Sequence, residues 1–265
     1  MNLFKRELKA HRKSLIFWCV GVVILIAFGM EKYGGFSGTG QSINELMSEM
    51  PKSLQAIMGT NSFDLSTAIG YYGLLYLYLV VMATIHASML GANIIAKEER
   101  DKTTEFLLVK PMSRHKIITS KLIATSVNII IFNVVTFLTS IVMVQRYSNG
   151  EEVLGEITSL MVGMLILQLI FMSVGTAIAA LKTHSKTAAS VSTGILLVTF
   201  ILSIVIDMNE RIGSLKYFTP FKYYDAKNIL AGNGFEIQYI VISIVLTTGL
   251  TVVTYFVYKR RDLSV

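Results

Sequence analysis

Six long apolar stretches, separated by polar segments, set the strongest limit on how this chain of 265 residues can fold. They cover residues 14–30, 70–96, 117–144, 157–181, 188–206 and 237–258. Each is long enough to cross the hydrocarbon core of a bilayer, which takes about 17–25 helical residues. Because backbone groups inside a bilayer must hydrogen-bond within their own segment, each stretch is predicted to be a transmembrane helix. Membrane β-strands would be about ten residues of alternating character, and none of the six shows that pattern.

Composition agrees with a membrane domain. The chain is 53% hydrophobic and 15% charged, whereas soluble domains are about 25% charged. The only prolines, Pro51, Pro111 and Pro220, lie between the apolar stretches, so the helices are predicted to be uninterrupted. The single cysteine, Cys19, excludes an internal disulfide. We therefore expect an all-α membrane protein with one six-helix domain over residues 1–265.

The basic residues predict which ends face the cytosol. Seventeen of the 24 Lys and Arg residues fall at the N-terminus, in 97–121, in 182–186 and at 259–261, whereas seven fall in the alternate segments. Cytoplasmic segments carry the Lys/Arg excess, so both termini and the 97–121 segment are predicted to be cytoplasmic. The net charge of +7 is then explained by topology, and a nucleic-acid partner is not expected.

The segments outside the spans have their own patterns. Residues 1–13 mix apolar and basic side chains, which predicts an amphipathic helix on the inner membrane surface; a cleaved secretory signal is the alternative. Residues 31–69 show apolar side chains at helical spacing and predict short external helices before the second span. Residues 207–236 are rich in aromatic side chains around Pro220, which predicts a helical, re-entrant external segment at the outer interface.

Four polar side chains inside the spans are candidates for a transport path or for helix packing. They are His86, Asn93, Asn128 and Gln168. A polar or ionisable group in the membrane is costly unless it faces a cavity or a partner. His86 has no acidic residue within a helical turn, so a packed neutral imidazole is the competing interpretation. For Asn128 and Gln168 we expect hydrogen bonds to neighbouring helices.

The most charged segment, residues 97–121, predicts an interaction element rather than a solvated loop. Residues 97–110 lack Gly and Pro and could extend the second span as a helix, with Glu98 and Lys102 paired one turn apart. Four consecutive apolar residues at 106–109 would then be exposed, as docking surfaces often are. Pro111 ends that helix, and Ser113 is a suitable N-cap for the next one. A helix, a turn and a second helix with an apolar tip fit a groove on a soluble partner.

Sequence motifs for catalysis are missing. The chain contains no HExxH, no GxSxG and no Cys/His ligand cluster. It also lacks GxxxxGK[ST], so any ATP must be bound by another chain. We expect no enzymatic activity and no cofactor or metal in this chain.

The 97–121 segment resembles one motif of ABC-2-type permease subunits, which are grouped with type V ABC transporters. The matching residues are Glu98, Glu99, Thr103, Glu105, Leu107, Leu108, the turn from Lys110 through Pro111 to Arg114, and Lys121. Lys102 replaces the glycine that usually precedes the threonine. Weaker similarities precede the second span, around Met50 and Pro51, and the sixth span, around Phe218 and Pro220.

The resemblance implies half of an ATP-driven exporter. Two six-span subunits, identical or similar, would enclose a substrate path in a bacterial or archaeal cell membrane, and two copies of an ATPase subunit would carry ATP and Mg²⁺. The segment 97–116 would be the coupling helix, with contacts from Glu98, Glu99, Thr103, Glu105, Leu107, Leu108, Pro111 and Arg114. A lipid-like, amphipathic or hydrophobic peptide cargo fits the uncharged spans, and an ion is a further option.

Two alternatives remain from the residues themselves. The chain could be a membrane anchor or sensor that recruits a cytoplasmic protein through the 97–116 segment without transporting anything. An intramembrane enzyme is the other alternative, with His86 as the one candidate catalytic residue.

Overall fold

The protein is a bundle of long α-helices. A computed structural model describes residues 3–37, 44, 49–51, 54–55, 60, 63–101, 113–181 and 187–260. Within those ranges the chain is helical and contains no β-strand. Six helices are long and apolar enough to cross a membrane, which confirms the predicted all-α membrane fold with six spans.

Nine helices with defined ends lie within the described residues. They are α1 (Leu3–Ser37), α2 (Ala68–Arg100), α3 (Arg114–Tyr147), α4 (Leu154–Leu181), α5 (Ala188–Met208), the 3-10 helices η1 (Glu210–Phe218) and η2 (Pro220–Lys222), α6 (Ala226–Leu230) and α7 (Ile237–Arg260). Helices α1–α5 and α7 are the six candidate spans.

Helix α1 is a single helix of 35 residues, about 52 Å long at 1.5 Å per residue. The sequence predicted a separate surface helix over residues 1–13. The structure differs, because residues 3–13 continue the same helix as the first span. No Gly or Pro interrupts residues 3–20, and Arg6 and Glu7 form ion pairs with Glu98 and Lys97 of α2. Near its other end, the Tyr33 hydroxyl donates a hydrogen bond to the Ser66 carbonyl at 2.7 Å.

Side-chain caps and tight turns define the helix ends. Thr67 accepts a hydrogen bond from the Gly70 amide at 3.1 Å and begins α2. Ser113 accepts from the Lys116 amide at 3.3 Å and begins α3, which confirms its predicted role as an N-cap. Helix α2 ends at Arg100 with Asp101 as its C-cap, and the predicted helical segment over residues 102–110 lies outside the described residues.

Helices α2 and α4 form the centre of the bundle. In their most apolar windows, 72% and 67% of the residues are buried, compared with 11% for α7. The outer helices α1, α5 and α7 therefore expose apolar side chains such as Phe17, Val198 and Ile244. A bilayer accepts these side chains, since its core is as apolar as they are.

Two glycines let α2 and α4 approach closely. A Cβ atom added at Gly91 would lie 2.5 Å from the Met172 carbonyl oxygen, and one added at Gly175 would lie 2.3 Å from the Ser88 carbonyl oxygen. Only the absence of a side chain permits this backbone contact.

Candidate functional site

Five charged side chains meet at one end of the bundle. Arg6 and Glu7 come from α1, Lys97 and Glu98 from α2, and Lys121 from α3. We call these five residues the ionic cluster. The end of the bundle that holds it, together with the first turn of α3 and the last turn of α7, we call the basic face, and the other end the distal face.

The ionic cluster is a chain of alternating charges. The Lys121 ammonium donates to the Glu98 carboxylate and to the Ile94 carbonyl. The Arg6 guanidinium lies 3.0 Å from the Glu98 carboxylate and 2.9 Å from that of Glu7. Glu7 completes the chain with Lys97 at 3.3 Å. Each carboxylate thus has two cationic partners.

Burial makes the ionic cluster sensitive to the loss of any member. Glu7 and Lys121 are fully buried, and Glu98 is 5% exposed. A buried ion pair adds little net stability compared with an apolar pair, but removing one partner typically costs about 3–5 kcal/mol because the other charge is left unpaired. The ionic cluster therefore fixes how α1, α2 and α3 are positioned relative to one another.

Arg114 makes a second connection at the basic face. Its guanidinium donates to the carbonyl oxygens of Lys259 at 3.0 Å and Tyr258 at 3.4 Å. These carbonyls end α7, where the helix dipole favours a cation. The contact is reinforced by Tyr255, whose ring stacks on His115 with centroids 5.8 Å apart and whose hydroxyl lies 2.7 Å from that of Thr119. The start of α3 is therefore attached to the end of α7.

The predicted coupling residues are only partly covered by the described residues. Thr103, Glu105, Leu107, Leu108 and Pro111 lie outside them. Glu98 belongs to the ionic cluster, Glu99 is partly buried on the same turn, and Arg114 holds the end of α7. The structure therefore places Glu98 and Arg114 in two separate anchors, one on each side of residues 102–112.

The sequence did not assign a role to Arg6, Glu7 or Lys97. One signal was available, since Glu7 is the only acidic residue among the first 30. A lone carboxylate among five basic residues needs no particular partner on a surface helix. Its pairing with Lys97 follows only from the position of α1 beside α2, which no local pattern reveals.

The polar residues inside the spans have different surroundings. His86 is 2% exposed, and its ring lies between Trp18 and Phe132, at centroid distances of 5.4 and 5.0 Å. Among the described residues its Nδ1 atom has no hydrogen-bond partner. Aromatic packing therefore surrounds this imidazole.

The amides in α3 and α4 behave in two ways. Gln168 accepts a hydrogen bond from Asn133 at 3.0 Å, which joins α4 to α3 as predicted. Asn128 instead donates to the Ala124 carbonyl of its own helix at 2.7 Å, so the expected bond to a neighbouring helix is wrong for this donor. Short polar side chains such as Asn, Ser and Thr can make an intrahelical bond of this kind to the carbonyl four residues before them. Asn93 is partly buried near the end of α2.

Comparison with known proteins gives a match over nearly the whole chain. Residues 1–263 match a family model described as "ABC-2 family transporter protein". A comparison with curated protein sequences finds no significant match.

Proposed function

The chain belongs to the ABC-2 family of transporter proteins, and from that premise we propose that it is the membrane permease subunit of an ATP-driven exporter whose ATPase is a separate chain. Six candidate spans and membership of the family support a permease in a membrane. We further propose that the basic face lies in the cytosol and contacts the ATPase through residues 97–116. Two ATPase copies and a second permease subunit, identical or similar, would complete the transporter in a cell membrane.

The observation that carries the coupling proposal is the pair of anchors on either side of residues 102–112. Before this segment, Glu98 is bound to α1 and α3 through Arg6 and Lys121. After it, Arg114 is bound to the end of α7. A displacement of the segment by a partner would consequently move four spans together. A loosely attached surface loop would absorb the same displacement without moving the spans.

The energetic requirement for such a transporter is simple. ATP can shift the equilibrium between two conformations only to the extent that the ATPase binds it more tightly in one of them. The permease must then convert this difference into movement of its spans. A rigid junction at the basic face serves this purpose because a buried ion pair resists stretching of its short hydrogen bonds. No nucleotide chemistry is needed within this chain.

The proposal is tested by weakening the ionic cluster without changing its shape. We would co-express the chain with its native ATPase and prepare Glu98→Gln, Lys121→Met and the double variant. We expect each single variant to co-purify with the ATPase and to retain ATP hydrolysis, with fewer cargo molecules moved per ATP. The effect of the double variant should be smaller than the sum of the two single effects, since the residues contact each other.

A matched control is Lys13→Met, which removes an exposed lysine on α1 and should leave the transport ratio unchanged. The coupling role is refuted if both cluster variants transport with the ratio of the unmodified protein. Binding of a cytoplasmic partner without nucleotide-dependent transport in the unmodified protein would support the membrane anchor instead.

A further inference from the structure

A cavity of about 170 Å³ lies at the distal face, between α2, α5 and the short helices η2 and α6. Its interior is lined mainly by aromatic and aliphatic side chains, among them Phe63, Tyr76, Val80, Phe200, Ile204 and Phe221. Four charged residues line it as well: Asp207, Lys222, Asp225 and Lys227. The cavity thus combines an apolar interior with charged groups, the combination that small-molecule sites commonly show.

The four charged residues lie at the distal end of the cavity, and apolar residues of α2 and α5 continue deeper into the bundle. The lining residues on α5 run from Phe200 to Asp207, and those on α2 from Gly73 to Val80. Each run covers about 10 Å along its helix, while one leaflet of hydrocarbon is about 15 Å thick. Asp207 lies one residue before the end of α5, and the end of a spanning helix lies near the headgroups. The cavity therefore extends from the headgroup level into the hydrocarbon of the leaflet.

Two acidic and two basic side chains lie at the opening of the cavity, which we call its mouth, so that their formal charges cancel. Lys222 donates to Asp207 and, at 2.8 Å, to Asp225. Burial would lower the pKa of the Lys222 ammonium, but Asp225 and Asp207 together raise it above its ordinary value. Half of the Asp207 side chain is exposed, and Lys227 is exposed as well. An arriving molecule would therefore meet one accessible carboxylate and one accessible ammonium.

The volume limits what the interior can hold. An apolar protein cavity of about 150 Å³ is known to hold one benzene molecule. A cavity of 170 Å³ therefore accommodates a six-carbon portion of one acyl chain, and two chains side by side do not fit.

We propose that this cavity binds one acyl chain of a zwitterionic amphiphile, with the ammonium of the ligand at Asp207 and its phosphate at Lys227. Lysophosphatidylethanolamine has this chemistry. The apolar chain would follow the α2 and α5 walls into the leaflet, and the headgroup would remain at the mouth. Binding of this kind requires neither an ATPase nor a transport cycle, so it stands or falls independently of the coupling proposal.

Native mass spectrometry of the full-length chain in detergent tests the site. We would titrate the protein with lysophosphatidylethanolamine and, separately, with lysophosphatidylglycerol of the same chain length, which lacks the ammonium. We expect one bound lysophosphatidylethanolamine per chain. Ile204→Phe, which fills the cavity, should weaken binding about tenfold or more. The control Val205→Phe adds the same ring to the neighbouring exposed position and should bind as the unmodified protein does.

The headgroup assignment has its own variant. Asp207→Asn should reduce affinity for lysophosphatidylethanolamine about three- to fivefold, as expected for a partly exposed ion pair, and should not reduce that for the anionic lysophosphatidylglycerol. If the Ile204→Phe and Val205→Phe variants bound lysophosphatidylethanolamine equally well, the lipid would be bound at the protein surface and the proposed cavity site would be wrong. If the Asp207→Asn variant still preferred lysophosphatidylethanolamine over lysophosphatidylglycerol as strongly as the unmodified protein does, the zwitterionic assignment would be wrong, even if one amphiphile still binds.

Discussion

Replacing Gly175 by alanine should separate the two central helices. The added Cβ would lie 2.3 Å from the Ser88 carbonyl oxygen and 3.0 Å from the Ala92 amide nitrogen. A carbon and a carbonyl oxygen normally approach to about 3.3 Å, so α2 and α4 must move apart locally by about 1 Å. Both clashing atoms belong to the backbone of α2, and no side chain can rotate to relieve the contact.

The cost follows from that displacement. A gap of about 0.5–1 Å already forfeits a quarter to a half of the dispersion attraction between facing atoms, and overpacking typically costs about 1–3 kcal/mol. Alanine also gains up to about 1 kcal/mol in a helix relative to glycine. We therefore expect Gly175→Ala to lower the free energy of unfolding by about 1–2 kcal/mol.

The assay is unfolding in detergent, with Gly249→Ala as the matched control. Gly249 lies within α7, and a Cβ added there meets no atom within 4 Å among the described residues. The control should be as stable as the unmodified protein or slightly more stable. If both alanine variants unfold at the same denaturant concentration, the close packing of α2 against α4 at Gly175 does not contribute to stability and the reasoning is refuted.

Three further perturbations test other parts of the structure. Arg114→Gln removes both contacts to the carbonyls of Lys259 and Tyr258, so hydrogen exchange in the last turn of α7 should become faster, whereas Lys116→Gln, at an exposed position on the same helix, should not change it. His86→Phe should change the free energy of unfolding by less than about 1.5 kcal/mol, because the imidazole already packs between two aromatic rings; loss of transport by a variant that still folds would instead assign His86 to the substrate path. Hydrogen bonds from Ser66 and Asn44 hold the pKa of Asp64 below its ordinary value of 3.8. The stability that these bonds give the folded state is fully present above that value and is lost as the pH falls through the lower pKa of the folded state. The protection of the amides that begin α2, measured relative to the intrinsic exchange rate at each pH, should thus fall when the pH is lowered from about 5 to about 3, and Asp64→Asn should remove this dependence.

The spans could be predicted because the bilayer imposes a simple rule on the sequence. A helix that crosses the hydrocarbon of a bilayer needs a long apolar run regardless of which helices pack against it, so the six spans could be identified from residue types alone. The cap at Ser113 was predictable for a similar reason, since a hydroxyl one residue before a helix has a local partner in the third amide beyond it.

What could not be predicted depends on contacts between distant parts of the chain. Glu7 and Lys97 are 90 positions apart, and Arg114 and Lys259 are 145 apart. Charged residues near a span end are usually explained by topology, so nothing local distinguishes a buried pair from a solvated one. Asn128 shows a different limit, because an asparagine in a helix can donate to a carbonyl of its own helix or to a neighbouring helix, and the local sequence is the same in both cases.

The unbroken helix α1 has a consequence for how the two faces communicate. Glu7 at one end is buried in the ionic cluster, and Tyr33 at the other end binds the turn that precedes α2; the two are about 39 Å apart along the axis. A tilt of about 5° pivoting at Glu7 would carry Tyr33 sideways by about 3 Å over that length. Tilting of α1 as one rigid helix can thus transmit a displacement from the basic face to the distal face. Side chains inside the bilayer need not rearrange for this.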